Sequence, residues 1–337
     1  MENKKFQLEI EDLCKRSQLG ELLDVPVSIS GGFLHRIYAI ETTSGKYAIK
    51  LLNPHIMIRP TAWKNYMNSE EISDFVSSKI PALPAKKIDG ECIQKINGQY
   101  FLVFSWTEGK SLKHDEIKNI HCEKIGSILA DIHKTDFSEL GLTNDGSDSG
   151  LLVDWEYYLQ KGKENDLDWV KLLLENIENL KCWDSMAIEA SKILASNMVI
   201  SHRDLDSKNV LWNLDEPMII DWESAGYINQ VHDLIETAIY WSGNKRGGID
   251  KERFFSFING YKKRYGELHG DWRTVLENGF LSKLGWLEYN LKRSLWIECA
   301  DEEEQQIGTI QVTETINEIR LYAGTIPKLL NWLTNEL

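Results

Sequence analysis

Apolar and polar residues alternate in four short runs of the amino-terminal third, residues 25–29, 35–41, 46–51 and 100–106. Their β-branched and aromatic content, punctuated by Gly31, Gly32 and Gly45, predicts antiparallel hairpins. Between them Ile72, Phe75 and Val76 recur at helical spacing, which predicts a helix over 68–79, ended by Pro81 and Pro84. After Glu108 and Gly109 the period lengthens. Ile120, Ile125, Ile128, Leu129 and Ile132 mark a helix over 117–133, and 151–180 and 186–197 follow in the same pattern. A strand-rich stretch, 199–222, precedes helices over 231–241, 254–265, 275–297 and 310–337. The expected fold class is α+β: a small β-rich amino-terminal lobe with one main helix (residues 1–105), a connector (106–109) and a larger, mostly helical lobe (110–337).

A length of 337 residues suits two lobes, and 42% hydrophobic residues suit an ordinary packed core. Acidic residues outnumber Lys plus Arg by 52 to 38, a formal charge of −14. Such a surface repels phosphate backbones, so nucleic acid is not an expected partner, whereas small cations would be attracted. The five cysteines, Cys14, Cys92, Cys122, Cys182 and Cys299, are scattered without metal-ligand spacing and read as free thiols of a reducing compartment. The start, Met-Glu-Asn-Lys-Lys, has no apolar leader core behind it, and no apolar run is long enough to cross a bilayer. A cytoplasmic protein without a membrane partner is the expectation.

The strongest chemical signal is Ser201-His202-Arg203-Asp204-Leu205-Asp206-Ser207-Lys208-Asn209-Val210-Leu211, followed by Met218-Ile219-Ile220-Asp221-Trp222-Glu223. Phosphoryl transfer needs one carboxylate to orient the attacking hydroxyl and accept its proton. It also needs an amide oxygen and a second carboxylate to hold Mg²⁺ against nucleotide phosphates. The kinase catalytic-loop pattern His-Arg-Asp-Leu-x-x-x-Asn is matched at each specified position, and Asp221 closes an apolar run twelve residues beyond Asn209. Upstream, Ser30, Gly31 and Gly32 form a candidate hairpin tip over phosphates, and Tyr47-Ala48-Ile49-Lys50 resembles the Val-Ala-Ile-Lys strand whose lysine binds the α- and β-phosphates. A partner acid for Lys50 is expected from the following helix, where Glu70 and Glu71 are both available. A helical wheel puts Glu71 nearer the apolar face of Ile72, Phe75 and Val76.

Taken in order, these features resemble the aminoglycoside phosphotransferase/choline kinase family, the small-molecule relatives of protein kinases. Further landmarks of that resemblance are residues 100–109 as strand and hinge, the run 125–133 from Ile125-Gly126 to Ile132-His133, and His232-Asp233-Leu234. The resemblance implies a protein-kinase-like bilobal fold and favours Glu70 as the lysine's partner. It implies that backbone groups near Ser105 and Thr107 meet the base, that Asp204 is the catalytic carboxylate, and that Asn209 and Asp221 are the metal ligands. Asp233 would brace the catalytic loop, and His202 would support it. The implied cofactors are Mg²⁺ and ATP as phosphoryl donor, with GTP as the alternative.

Departures from the protein-kinase pattern narrow the acceptor. The metal segment reads Asp-Trp-Glu, no Ala-Pro-Glu follows, and eleven residues between Asp221 and Asp233 leave no room for a full activation segment. Asp206 stands where protein kinases place Lys. A small-molecule hydroxyl is therefore the expected acceptor, an aminoglycoside-like antibiotic first, with an amino alcohol, sugar or homoserine-like metabolite as the alternative and a silent nucleotide-binding module as the third. Aromatic and acidic residues after Gly279, among them Trp286, Glu288, Tyr289, Glu298 and the run 301–304, suit a cationic acceptor or else form a solvated charge run. Oligomeric state is not legible.

Overall fold

The computed structural model describes residues 2–29, 34–144, 152–244, 247–299 and 301–337. In chain order the elements begin with α1 (Glu2–Arg16), β1 (Val27–Ile29), β2 (Arg36–Thr42), β3 (Gly45–Leu51), α2 (Pro54–Met57), α3 (Ala62–Val76), β4 (Ile93–Ile96) and β5 (Gln99–Ser105). Next come α4 (Asn119–His133), α5 (Trp155–Glu164), α6 (Val170–Ile193), β6 (Met198–Ser201), β7 (Val210–Asn213) and β8 (Glu216–Ile219). The chain ends with β9 (Gly226–Asn229), α7 (Gln230–Ser242), α8 (Lys251–Tyr265), α9 (Trp272–Asn278), α10 (Phe280–Ser294) and α11 (Glu302–Glu336). These form two compact units. The first holds residues 1–112, 137–141 and 207–226; the second holds 113–136, 142–206 and 227–337.

The first unit is built on an antiparallel sheet in the order β1-β2-β3-β5-β4. Alternation along the strands gives the sheet two apolar faces. Ile49, Leu51, Phe101 and Val103 pack with Ile10, Leu13 and Cys14 of α1, while Leu102 points the other way toward Ile56 of α2 and Tyr66 of α3. Lys50 is in register with Leu102 and shares the α3 face. Helix α1 has no counterpart in the sequence-based expectation, because among its described side chains only Ile10, Leu13 and Cys14 are buried apolar residues, in a charged segment. Strand β4 is also new. Its signal is Asn97-Gly98, both at positive φ, the two-residue turn that joins twisted strands most readily.

In the second unit α5, α6, α10 and α11 enclose Trp155, Trp169, Leu180, Leu287 and Ile316. The expected break between helices at 180–186 is absent, and α6 runs through it. Its buried Asp184 accepts the Val153 N–H (2.8 Å) and the Trp155 indole N–H (3.2 Å), and so fixes the start of α5 against α6. The helix expected over 275–297 is divided at Gly279, where a Cβ would lie 2.2 Å from the Tyr322 hydroxyl. Acids 301–304 begin α11: the Asp301 side chain caps the Glu304 N–H, and Glu302 to Glu304 occupy the first turn, where the helix dipole favours negative charge.

Candidate active site

In the first unit, β7 and β8 form a short hairpin with Val210 opposite Ile219. Two backbone bonds fasten it to the segment after α3: Ile219 N–H to Pro81 O (2.7 Å) and Leu83 N–H to Ile219 O (2.9 Å). A second clamp joins Lys110 and Trp212, which exchange backbone bonds in both directions. This approach requires Gly109, at φ +147, where a Cβ would press on the Trp212 backbone at 3.1 Å. At the open end of the hairpin the Ile220 N–H bonds to Asn209 O (2.9 Å), so buried Asn209 and half-buried Asp221 flank one hairpin base. Asp221 has φ +63, a left-handed conformation that an aspartate adopts at a cost and that is concentrated at functional sites.

The Lys50 ammonium donates to Asp221 Oδ1 at 2.6 Å and also to Glu223 Oε2. These two acids are 171 and 173 residues further along the chain. Burial works to lower the lysine's pKa, but the Glu223 and Asp221 charges outweigh it and hold it above the ordinary lysine value. Burial would likewise raise the Glu223 carboxyl, yet Lys50 and His35 hold it below the usual carboxylate range. Glu223 Oε2 lies 3.2 Å from His35 Nε2, and His35 also meets the Tyr66 hydroxyl. Sequence reasoning missed His35, Tyr66 and the partnership of Glu223 with Lys50. The one available signal was the acid two residues past Asp221, in a turn that brings both carboxylates to one side.

Of the two helix acids, Glu70 faces inward and Glu71 faces solvent. The buried stripe of α3 includes Ser69 and Ser73 beside Tyr66, Ile72 and Val76, and a wheel of apolar residues alone overlooks the two serines. The Glu70 carboxylate accepts the Ala85 N–H at 2.7 Å, while Lys50 takes its acids from the Asp221 segment. Burial pushes the Glu70 carboxyl up to about 7, with the Ala85 N–H and the Lys50 charge acting in the opposite direction.

Asp204 belongs to the second unit, in the loop after β6. Its N–H faces His202 Nδ1 at 3.3 Å, and Arg203 between them has φ +65. Helix α7 holds this loop. Asp233 accepts Ser201 Oγ (2.6 Å) and meets His133 Nε2 (2.8 Å), and the Trp241 indole donates to Leu205 O (2.8 Å). A neighbouring stripe of α7 carries buried Glu236, which accepts the Tyr240 hydroxyl (3.0 Å), the Ser282 hydroxyl (2.8 Å) and the Lys283 ammonium (3.1 Å). Burial, then Glu236 and Asp204, push the Tyr240 hydroxyl well above its ordinary pKa.

Ser30, Gly31 and Gly32 lie outside the described residues. Ser105 ends β5 opposite Tyr47, and Thr107 stands in the connector that follows, both in the first unit. The acids after Gly279 have internal partners. Glu288 accepts the Tyr158 hydroxyl (2.8 Å) and pairs with Lys292 (3.0 Å), which also faces Glu298 at 3.7 Å.

Asn209 and Asp221, at the two sides of the hairpin base, each carry a hard side-chain oxygen, and among the described residues no group of three or more His, Cys, Asp or Glu side chains is placed to hold an ion. That donor set fits Mg²⁺, which is bound through one or two protein oxygens plus phosphates and waters, better than a metal that needs a full protein cage. No helix among the described residues is long and apolar enough to cross a membrane.

The chain resembles several solved small-molecule kinases in fold. Spectinomycin phosphotransferase, solved with ADP and spectinomycin, superposes with a TM-score of 0.62 at 15% identity, covering 94% of this chain and 98% of that one. The ethanolamine kinase of Plasmodium vivax gives 0.56 at 16% identity, over 87% of this chain and 82% of its own. The choline kinase of Cryptosporidium parvum gives 0.53 at 14% identity, over 97% and 99%. No curated protein matches in sequence. Residues 27–275 match the profile of the phosphotransferase enzyme family, which takes in the β-sheet, the Lys50–Asp221 pair and the Asp204 loop. The chain therefore belongs to the phosphotransferase enzyme family and is a phosphotransferase.

Proposed function

We propose that this enzyme transfers the γ-phosphate of ATP, or of GTP, to a hydroxyl of a small molecule. The observation that carries the reading is the part-buried bond from Lys50 on β3 to Asp221 beyond β8, which joins two segments remote in sequence. In this reading Lys50 contacts the α- and β-phosphates and the connector at Ser105 and Thr107 meets the base. Ser30, Gly31 and Gly32 cover the phosphates. Asn209 and Asp221 hold Mg²⁺, which, when bound, neutralises phosphate charge. Asp204 accepts the proton of the acceptor hydroxyl as its oxygen bonds to the γ-phosphorus and the nucleoside diphosphate departs.

An aminoglycoside-like antibiotic is the first acceptor class, supported by the likeness to the spectinomycin enzyme. An amino alcohol is the second, supported by the choline and ethanolamine kinases. The acids after Gly279 are matched by Lys292, so a cationic acceptor would have to compete with an internal ammonium for Glu288.

The test is phosphate transfer from labelled nucleotide to an antibiotic panel and a metabolite panel. Asp204→Ala should abolish turnover on whichever acceptor is used, with nucleotide affinity preserved. Near wild-type kcat in that variant would remove Asp204 from the chemistry.

A further inference from the structure

We propose that His35 is a positioning residue of the nucleotide site, acting through Glu223 to hold Lys50 in place. The inference rests on the nucleotide-binding reading above and assigns a device within it. Lys50 has two acids, and one of them, Asp221, is the residue expected to turn to the divalent ion. A buried ammonium then needs a second, constant partner. Besides Asp221 the acid bonded to Lys50 is Glu223, while Glu70 accepts the Ala85 N–H, which gives Glu223 that role.

What holds Glu223 is the tautomer of His35. The ring is buried, and its Nδ1 accepts the Asn53 backbone N–H at 2.9 Å. A backbone N–H can only donate, so Nδ1 is bare and the neutral ring carries its single proton on Nε2. That proton faces Glu223 Oε2 at 3.2 Å and the Tyr66 hydroxyl, with the Tyr66 ring edge-on to the imidazole at 5.8 Å. The strand register fixes the donor in space. Arg36 is opposite Leu51, so His35 and Asn53 extend from the same end of the β2–β3 ladder, and Asn53 is itself anchored as the cap of α2. The two nitrogens thus have separate duties: Nδ1 fastens the ring to the sheet, and Nε2 aims the acid that holds the lysine.

Two variants separate those duties. His35→Asn retains an oxygen near Nδ1 for the Asn53 N–H and loses the donor at Nε2; His35→Gln supplies an amide donor near Nε2. Binding of a non-hydrolysable ATP analogue, measured calorimetrically beside the melting temperature, is the readout. His35→Asn should weaken binding about tenfold, the scale of a lost hydrogen bond to a charged group, and His35→Gln should restore it to within about twofold of wild type. In a Lys50→Met background His35→Asn should change affinity no further, because its effect passes through the lysine. Wild-type affinity in His35→Asn, equal losses in both variants, or full additivity with Lys50→Met would each overturn the role. A wild-type protein that binds no nucleotide would overturn the nucleotide site itself, a separate result with a separate signature.

Discussion

Glu70 combines three features that seldom meet: a carboxyl, near-complete burial and, among the described residues, no ammonium bonded to it. Its pKa of about 7, against an ordinary 4.5, has a thermodynamic consequence. Below about pH 4.5 the group carries a proton in both folded and unfolded chains. As pH rises toward 7 the unfolded chain ionises freely, while the folded one must hold its proton or place a charge in the interior. Stability contributed at low pH is therefore lost across that window, by about 3 kcal/mol at most. Glu70→Gln, whose amide oxygen still accepts the Ala85 N–H, should lack this loss. Urea unfolding of both proteins should then diverge between about pH 4.5 and about pH 7, the variant becoming relatively more stable as pH rises. A constant difference would mean that Glu70 does not titrate there. At this scale the sequence announces the groups whose spacing is itself chemical, Lys50, Asp204, Asn209 and Asp221. It does not announce His35, Tyr66 or the inward turn of Glu70, since these depend on which neighbours the fold brings to them.

Helices α4 and α8 pack through paired glycines. A Cβ on Gly126 would stand 2.1 Å from the Phe257 carbonyl oxygen, and one on Gly260 would stand 2.1 Å from the Glu123 carbonyl oxygen. Alanine is the better helix former by roughly 1 kcal/mol, so propensity alone favours Gly→Ala. Close packing should reverse the sign here, and Gly126→Ala or Gly260→Ala should lose about 1–3 kcal/mol of unfolding free energy. Gly285 of α10, exposed and with no atom within 4 Å of a Cβ, supplies the contrast: Gly285→Ala should gain roughly 0.5–1 kcal/mol. Chemical denaturation of the three variants checks both signs, and stabilisation at Gly126 would contradict the helix contact. Periodicity identifies β2, β3, β5, α4, α7 and α8 to within a few residues. Helix ends at 165–169 and 279 are less legible. The helix expected over 151–180 breaks at 165–169, with Asp166 at positive φ, whereas the break expected at 180–186 is spanned by α6, where Asp184 accepts the Val153 and Trp155 N–H groups.

The chain crosses between its two units several times, and the proposed nucleotide ligands come from separate stretches of one of them. Lys50 lies in residues 1–112, whereas Asn209 and Asp221 lie in 207–226. That return of the chain depends on bonds between Ile219 and residues 81–83, which no local pattern foretells. Asp204, by contrast, belongs to the other unit, so nucleotide binding and proton acceptance should be separable by substitution. The direct test is a thermal-shift titration of the whole protein with ATP–Mg²⁺ and with GTP–Mg²⁺. At about a hundredfold over Kd a bound nucleotide adds about 2.7 kcal/mol, enough to raise the melting temperature visibly. The shift should saturate with at least one nucleotide, persist in Asp204→Ala and shrink in Asp221→Ala. A wild-type protein whose melting temperature moves with neither nucleotide would contradict the account.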